Sequence, residues 1–101
     1  MSLSIDTVAD YTIIRTDLTK INYENANNFS KETVDHIENK KPVNLAIDFT
    51  SITYISSIGI SALSVIKGIA KINHCNLVLF GLSSSVLSVL EQTGLDTMFT
   101  I

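Results

Sequence analysis

The sequence has no tryptophan, one proline (Pro42), one cysteine (Cys75) and four glycines. A single cysteine excludes an internal disulfide framework and a cysteine-rich zinc site. His36 and His74 have no cysteine or histidine at ligand spacing, so no metal site is expected. His74-Cys75 reads as a turn entering a strand rather than a nucleophilic pair. Only 17% of the residues are charged, where an average domain carries roughly 25%. The net charge of −3 supplies no basic footprint, which argues against nucleic-acid binding through phosphates. No apolar run approaches the roughly 18 residues of a membrane span. Asp6 and Asp10 spoil any signal peptide, so no direct membrane insertion is expected. A G-x-S-x-G elbow, a phosphate-binding glycine loop and a dinucleotide fingerprint are all missing, so no cofactor and no enzymatic activity are expected.

What is there points to one folded domain. A 46% hydrophobic share excludes intrinsic disorder, and 101 residues suit a single domain with one core, residues 1–101. The expected setting is the cytoplasm. Charge is spread unevenly along the chain. Residues 1–48 hold eight of the ten acids and five of the seven bases, whereas Lys67 and Lys71 are the only formal charges between Phe49 and Leu90.

Hydropathy periodicity sets the element order. Leu3 to Val8 alternates apolar and polar, as a half-buried strand does. Ala9-Asp10 turns the chain into a second strand over Tyr11 to Leu18, paired as an antiparallel hairpin. Asn22 is the candidate cap of a helix carrying Ala26, Phe29, Thr33 and Ile37 inward; Lys40-Lys41 lie at its negative end and Pro42 stops it. Val43 to Phe49 reads as a strand buried on both faces. Ser57 to Ile72 is helical, Asn73 to Asn76 breaks it, and Leu77 to Phe80 reads as a central strand ended by Gly81. A short helix over Ser84 to Thr93 turns Val86, Leu87, Val89 and Leu90 inward and closes on Gly94. Met98 to Ile101 could add an edge strand. The order ββαβαβα(β) implies an α/β fold: a mixed sheet of 4–5 strands with right-handed crossovers and amphipathic helices packed against it.

Two segments carry a resemblance. The run from Asp48 to Leu63, D-F-T-S-I-T-Y-I-S-S-I-G-I-S-A-L, resembles the signature of STAS domains, the sulphate-transporter and anti-sigma-factor-antagonist domains. Leu90 to Phe99 resembles their C-terminal L-x-x-T-G-L-x-x-x-F pattern. The element order agrees, so the resemblance spans essentially the whole chain. It implies the STAS fold. For stand-alone bacterial members, of the sporulation stage II AA-like type, it also implies a partner-switching anti-sigma-factor antagonist. In that scheme an anti-sigma factor serine kinase phosphorylates one serine at the start of the second long helix. The unphosphorylated form binds the kinase and frees the sigma factor; a metal-dependent serine phosphatase reverses the mark. The family's D-S-S-G pattern falls on Ser56-Ser57-Ile58-Gly59, which puts the phosphoacceptor on Ser57, with Ser56 as the alternative. Ser56 stands in place of the usual aspartate and Ile58 in place of the following serine.

The residues themselves support a switch at this place. A phosphate on Ser57 would meet the free N–H groups and positive dipole end of a helix. It would add about −1.5 to −2 charges to a neutral rim. Equally, Ser56 or Ser57 can serve only as an N-cap. At roughly 100° per residue, Ile58, Ala62, Leu63, Val65, Ile66, Ile69, Ala70 and Ile72 form the core face of this helix. Ile60 then falls among Ser57, Ser61, Ser64, Lys67, Gly68 and Lys71, either as an isolated exposed isoleucine or as a partner anchor. The expected partner surface comprises Ser56, Ile58, Gly59, Ile60, Ser61 and Ser84. Gly59 suits close approach of the helix start to neighbouring backbone. Asp48 either bonds loop N–H groups and steadies the Ser57 loop, or is a solvated strand-end acid. The competing functional reading is a non-phosphorylated structural subunit, or a domain excised from an anion or lipid transporter complex.

Overall fold

The computed structural model describes residues 3–95. Strands β1 (Leu3–Val8) and β2 (Tyr11–Thr16) form the expected hairpin, in register from Leu3 opposite Thr16 to Val8 opposite Tyr11. Ala9 makes the turn with a positive φ of 54°. After β3 (Lys20–Ile21) come α1 (Ala26–Lys40), β4 (Asn44–Asp48), β5 (Tyr54–Ile55), α2 (Ser57–Ile72), β6 (Asn76–Phe80) and α3 (Ser84–Thr93). The main sheet runs β1-β2-β4-β6, with β1 antiparallel and the others parallel. The mixed α/β expectation holds.

Register explains where the core lies. Ile14, Ile47 and Leu79 share one row and Leu45 and Leu77 the next, all on one sheet face and all buried. The helices supply Phe29, Ile37, Leu63, Ile66, Val86 and Leu90 to that core. Burying a side chain of this size contributes roughly 1.5–3 kcal/mol, so this face holds the fold together. At the end of α1, Lys41 adopts the left-handed conformation and donates its N–H to Ile37 O, and Pro42 prevents continuation.

Several local expectations are corrected. β1 is exposed from Ser4 to Val8 rather than half-buried, because it is the last strand of the sheet and its main packing partner is β2. β2 ends at Thr16, where the hydroxyl of that residue accepts the Leu18 N–H and turns the chain. Asn22 does not cap α1; Asn25 is the N-cap residue and makes no side-chain cap bond. The Asn22 side chain accepts Glu24 N–H, and its carbonyl accepts from Ala26, so it builds the turn ahead of the helix. Val43 is exposed outside β4, and Asn76 lies within β6 rather than in the break. Among the described residues β6 is an edge strand of its sheet, not a central one. The expected strand over Met98 to Ile101 lies outside the described residues. A second, two-stranded parallel sheet of β3 and β5 had no sequence signal, since neither strand exceeds two residues.

Candidate functional site

The small β3–β5 sheet is the floor on which α2 starts. A Cβ on Gly59 would stand 2.6 Å from Ile55 Cγ1 and 2.9 Å from the Ile21 carbonyl oxygen. Only glycine permits this approach, because one obstacle is backbone. Ser56 precedes the helix in an extended conformation; its hydroxyl accepts the Gly59 N–H at 3.3 Å and its own N–H donates to Ile21 O at 2.9 Å. Ser56 is therefore the N-cap.

Ser57 is the first residue of α2 and is exposed. Its carbonyl accepts the Ser61 hydroxyl at 3.2 Å, while its own hydroxyl is used by no hydrogen bond among the described residues. The two serines thus divide the work: one caps, the other presents a free nucleophilic oxygen to solvent.

The loop that leads here is bound at several points. The Ser51 hydroxyl donates to both Thr16 O (3.0 Å) and Leu18 O (2.7 Å), and Thr53 N–H donates to Thr19 O at 2.8 Å. Asp48 accepts from Arg15 Nη1 at 2.8 Å with one carboxylate oxygen, and from the N–H and hydroxyl of Thr50 with the other. Its side chain is only 15% exposed, so it is no freely solvated acid. Its bonds secure the start of the loop, eight positions before Ser56. The start of α3 abuts the same loop: the Ser85 hydroxyl donates to Thr53 O at 3.0 Å, and Ser83 caps Val86 N–H at 3.2 Å. Ser84 is exposed at the first position of α3.

The expected helix face is corrected at both flanks. Ile58, Val65 and Ile72 are exposed (47%, 53% and 73%), although the wheel assigned them to the core. Ile60, expected to be exposed, is partly buried and packs against the core. The buried stripe is Gly59, Ala62, Leu63, Ile66 and Ala70. A hydrophobicity wheel passes over Gly59, so its apolar centre is displaced toward Ile58. The signal that could have found the true centre was the close approach expected of that glycine. Of the expected partner surface, Ile58, Ser61 and Ser84 are exposed, as is Ser57 beside them, while Ser56 and Ile60 are half-buried; Gly59 is buried and holds the helix start down.

The site has no formal charge between Asp48 and Lys67. Among the described residues no group of histidines, cysteines and carboxylates could hold a metal ion. Burial pushes the Cys75 thiol up, away from the thiolate form that a nucleophile or metal ligand needs. No helix among the described residues is long and apolar enough to cross a membrane. What the surface offers is a hydroxyl at a helix N-terminus, set beside exposed apolar side chains.

Comparison with solved structures finds the same fold elsewhere. A candidate anti-sigma factor antagonist from Thermotoga maritima matches with a TM-score of 0.86 at 24% identity, over 98% of this chain and 84% of that one. The anti-sigma factor antagonist SpoIIAA in its unphosphorylated form matches with a TM-score of 0.79 at 13% identity, over 98% and 86%. A sulfate transporter family protein from Wolinella succinogenes matches with a TM-score of 0.71 at 19% identity, over 88% and 70%. The STAS domain model matches residues 3–101. With the sequence, the sheet order and the fold in agreement, the chain belongs to the STAS domain family.

Proposed function

We propose that this chain is a non-enzymatic anti-sigma-factor antagonist, switched by phosphorylation of Ser57. The observation that carries the reading is the exposed Ser57 hydroxyl, free of hydrogen bonds among the described residues, at the N-terminus of α2 in a rim without formal charge. In the unmodified state the rim of Ser57, Ile58, Ser61 and Ser84 docks an anti-sigma factor serine kinase. Transfer of the ATP γ-phosphoryl group to Ser57 Oγ displaces the hydroxyl proton and leaves ADP. The local helix N–H groups tolerate the new anion. The partner does not, because about two charges must then be desolvated in an apolar contact. A metal-dependent serine phosphatase restores the hydroxyl by hydrolysis, releasing inorganic phosphate. Support comes from the fold shared with SpoIIAA, which has been solved in unphosphorylated and phosphorylated forms.

The test is incubation with the anti-sigma kinase and ATP, followed by mass spectrometric mapping. Phosphate on Ser57 is expected. Modification wholly outside Ser56 and Ser57, or none with a kinase verified as active, overturns the switch. Ser57→Asp should weaken kinase binding by about tenfold or more, roughly 1.4 kcal/mol. Ser57→Ala should bind and never cycle.

A second reading is a constitutive subunit of a transporter complex. Ser56 and Ile58, which replace the aspartate and serine of the resembled pattern, favour it. Co-purification of the native partner separates the two: a kinase supports the switch, a transport protein the subunit.

A further inference from the structure

The outer edge of β1 carries none of the devices that keep a sheet edge solitary. Six residues pair continuously with β2, without a bulge, proline, glycine or lysine. Among the described residues nothing pairs with the opposite side of the strand, so a row of backbone N–H and C=O groups faces outward. Its single charge, Asp6, is held by Arg15 Nε at 3.0 Å. Ile5 is 50% exposed on the sheet face that carries the core, and Val8 is 54% exposed on the other. The β6 edge differs, since Leu77 and Leu79 on its core face are already buried.

We propose that β1 pairs antiparallel with β1 of a second copy, joining two four-stranded sheets into one across a twofold axis. An antiparallel twofold pairing sets one residue opposite itself, and the candidates can be sorted by overlap and charge. Ser4 opposite Ser4 overlaps only residues 3–5, and Thr7 opposite Thr7 only residues 6–8. Asp6 opposite Asp6 sets two carboxylates side by side, which is destabilising. Ile5 opposite Ile5 overlaps residues 3–7 without opposing acids. It buries the two half-exposed isoleucines against each other, flanked by Leu3 against Thr7 on the same face. On the other face Asp6 lies opposite Ser4 of the second copy, and Ser4 is already opposite Arg15 in its own hairpin. The two Asp6 carboxylates, each held by its own Arg15, then lie diagonally across the pair, roughly 7–8 Å apart, instead of directly opposed. Apolar burial at Ile5 and the avoidance of directly opposed Asp6 carboxylates thus select the same register. A foreign strand would satisfy the backbone but not this self-matching.

The full chain should sediment as a concentration-dependent monomer–dimer mixture. Ile5→Lys, a lysine at a half-exposed edge position, should weaken association by about tenfold or more with the far-ultraviolet circular dichroism unchanged. In the wild type, amide exchange should slow with rising protein concentration at the outward-facing N–H groups of β1 and not at the β6 edge. A monomer at every concentration up to about 1 mM, weaker than any specific dimer of use, overturns the proposal. So does a dimer that survives Ile5→Lys and is dispersed by Val65→Lys on α2. If Ile5→Lys fails to fold, the exchange measurement alone decides: protection indifferent to concentration overturns the pairing.

Discussion

Helices α1 and α2 pack against each other, have nearly equal length, and treat their outer faces in opposite ways. α1 buries Ala26, Phe29, Thr33 and Ile37 and covers the rest of its surface with Asn27, Lys31, Glu32, Asp35, Glu38 and Lys40, including a Lys31–Asp35 pair at 3.9 Å. α2 buries a stripe of smaller residues and then leaves Ile58, Val65 and Ile72 in water, with no acid along its length. One isolated exposed isoleucine would need no explanation. Three large apolar side chains along one exposed flank, beginning next to Ser57, set the outer face of α2 apart from that of α1. The difference also shows at the N-termini. α2 has a serine cap on a glycine-tight seat, while Asn25 at the start of α1 makes no side-chain cap bond.

The largest way to break this comparison is at the seat. Gly59→Ala forces a Cβ into Ile55 and the Ile21 carbonyl. Overpacking costs typically ~1–3 kcal/mol, which outweighs the ~1 kcal/mol that alanine gains in a helix interior. A net loss should appear as a lowered denaturant midpoint. Gly68→Ala on the same helix has nothing within 4 Å of the new Cβ. It should therefore gain up to about 1 kcal/mol from propensity alone. Opposite signs for the two glycines are the expected outcome; equal signs would mean that the β3–β5 floor yields.

That contrast also marks what the sequence could and could not show. The limits of α2 and α3 were legible, because a serine cap and Asn73 bracket one clear helical period and Gly94 closes the other. So was β4, whose short apolar run lies buried between β2 and β6. The β3–β5 sheet was not legible: two-residue strands have no period, and only tertiary pairing of Ile21 with Ile55 creates them. The candidate phosphoacceptor at Ser57 came from motif resemblance, but the division of labour with Ser56 needed coordinates. Ile58 and Ile60 exchanged roles for a related reason. Both sit about 100° from Gly59 on opposite flanks, and no pattern within the helix says which flank faces water.

A smaller effect comes from the buried side of α1. The Thr33 hydroxyl is fully buried and has no hydrogen-bond partner among the described residues. Replacing it by a methyl group, Thr33→Val, keeps the shape and removes an unsatisfied polar atom. Such an atom costs roughly 1–3 kcal/mol, part of which returns on substitution. Thr33→Val should therefore stabilise by about 1 kcal/mol in equilibrium unfolding. Destabilisation instead would mean that this hydroxyl finds a partner, such as a buried water.

The smallest effect separates the two helices by pH. Burial and then the nearby Lys40 lower the pKa of His36 on α1, whereas α2 carries neither histidine nor carboxylate. An unfolded chain returns His36 to about 6.5. Between the lowered folded value and 6.5 the unfolded state binds more protons, so stability rises with pH across that window. Above it, His36 is neutral in both states and contributes no slope. Acidification from pH 7 toward pH 5 should therefore cost stability through α1, and His36→Gln should flatten that part of the profile. The measurement is urea unfolding of both proteins across this range. If the two profiles run parallel, His36 is not the group responsible, and the contrast between a titratable α1 and a pH-silent α2 is lost.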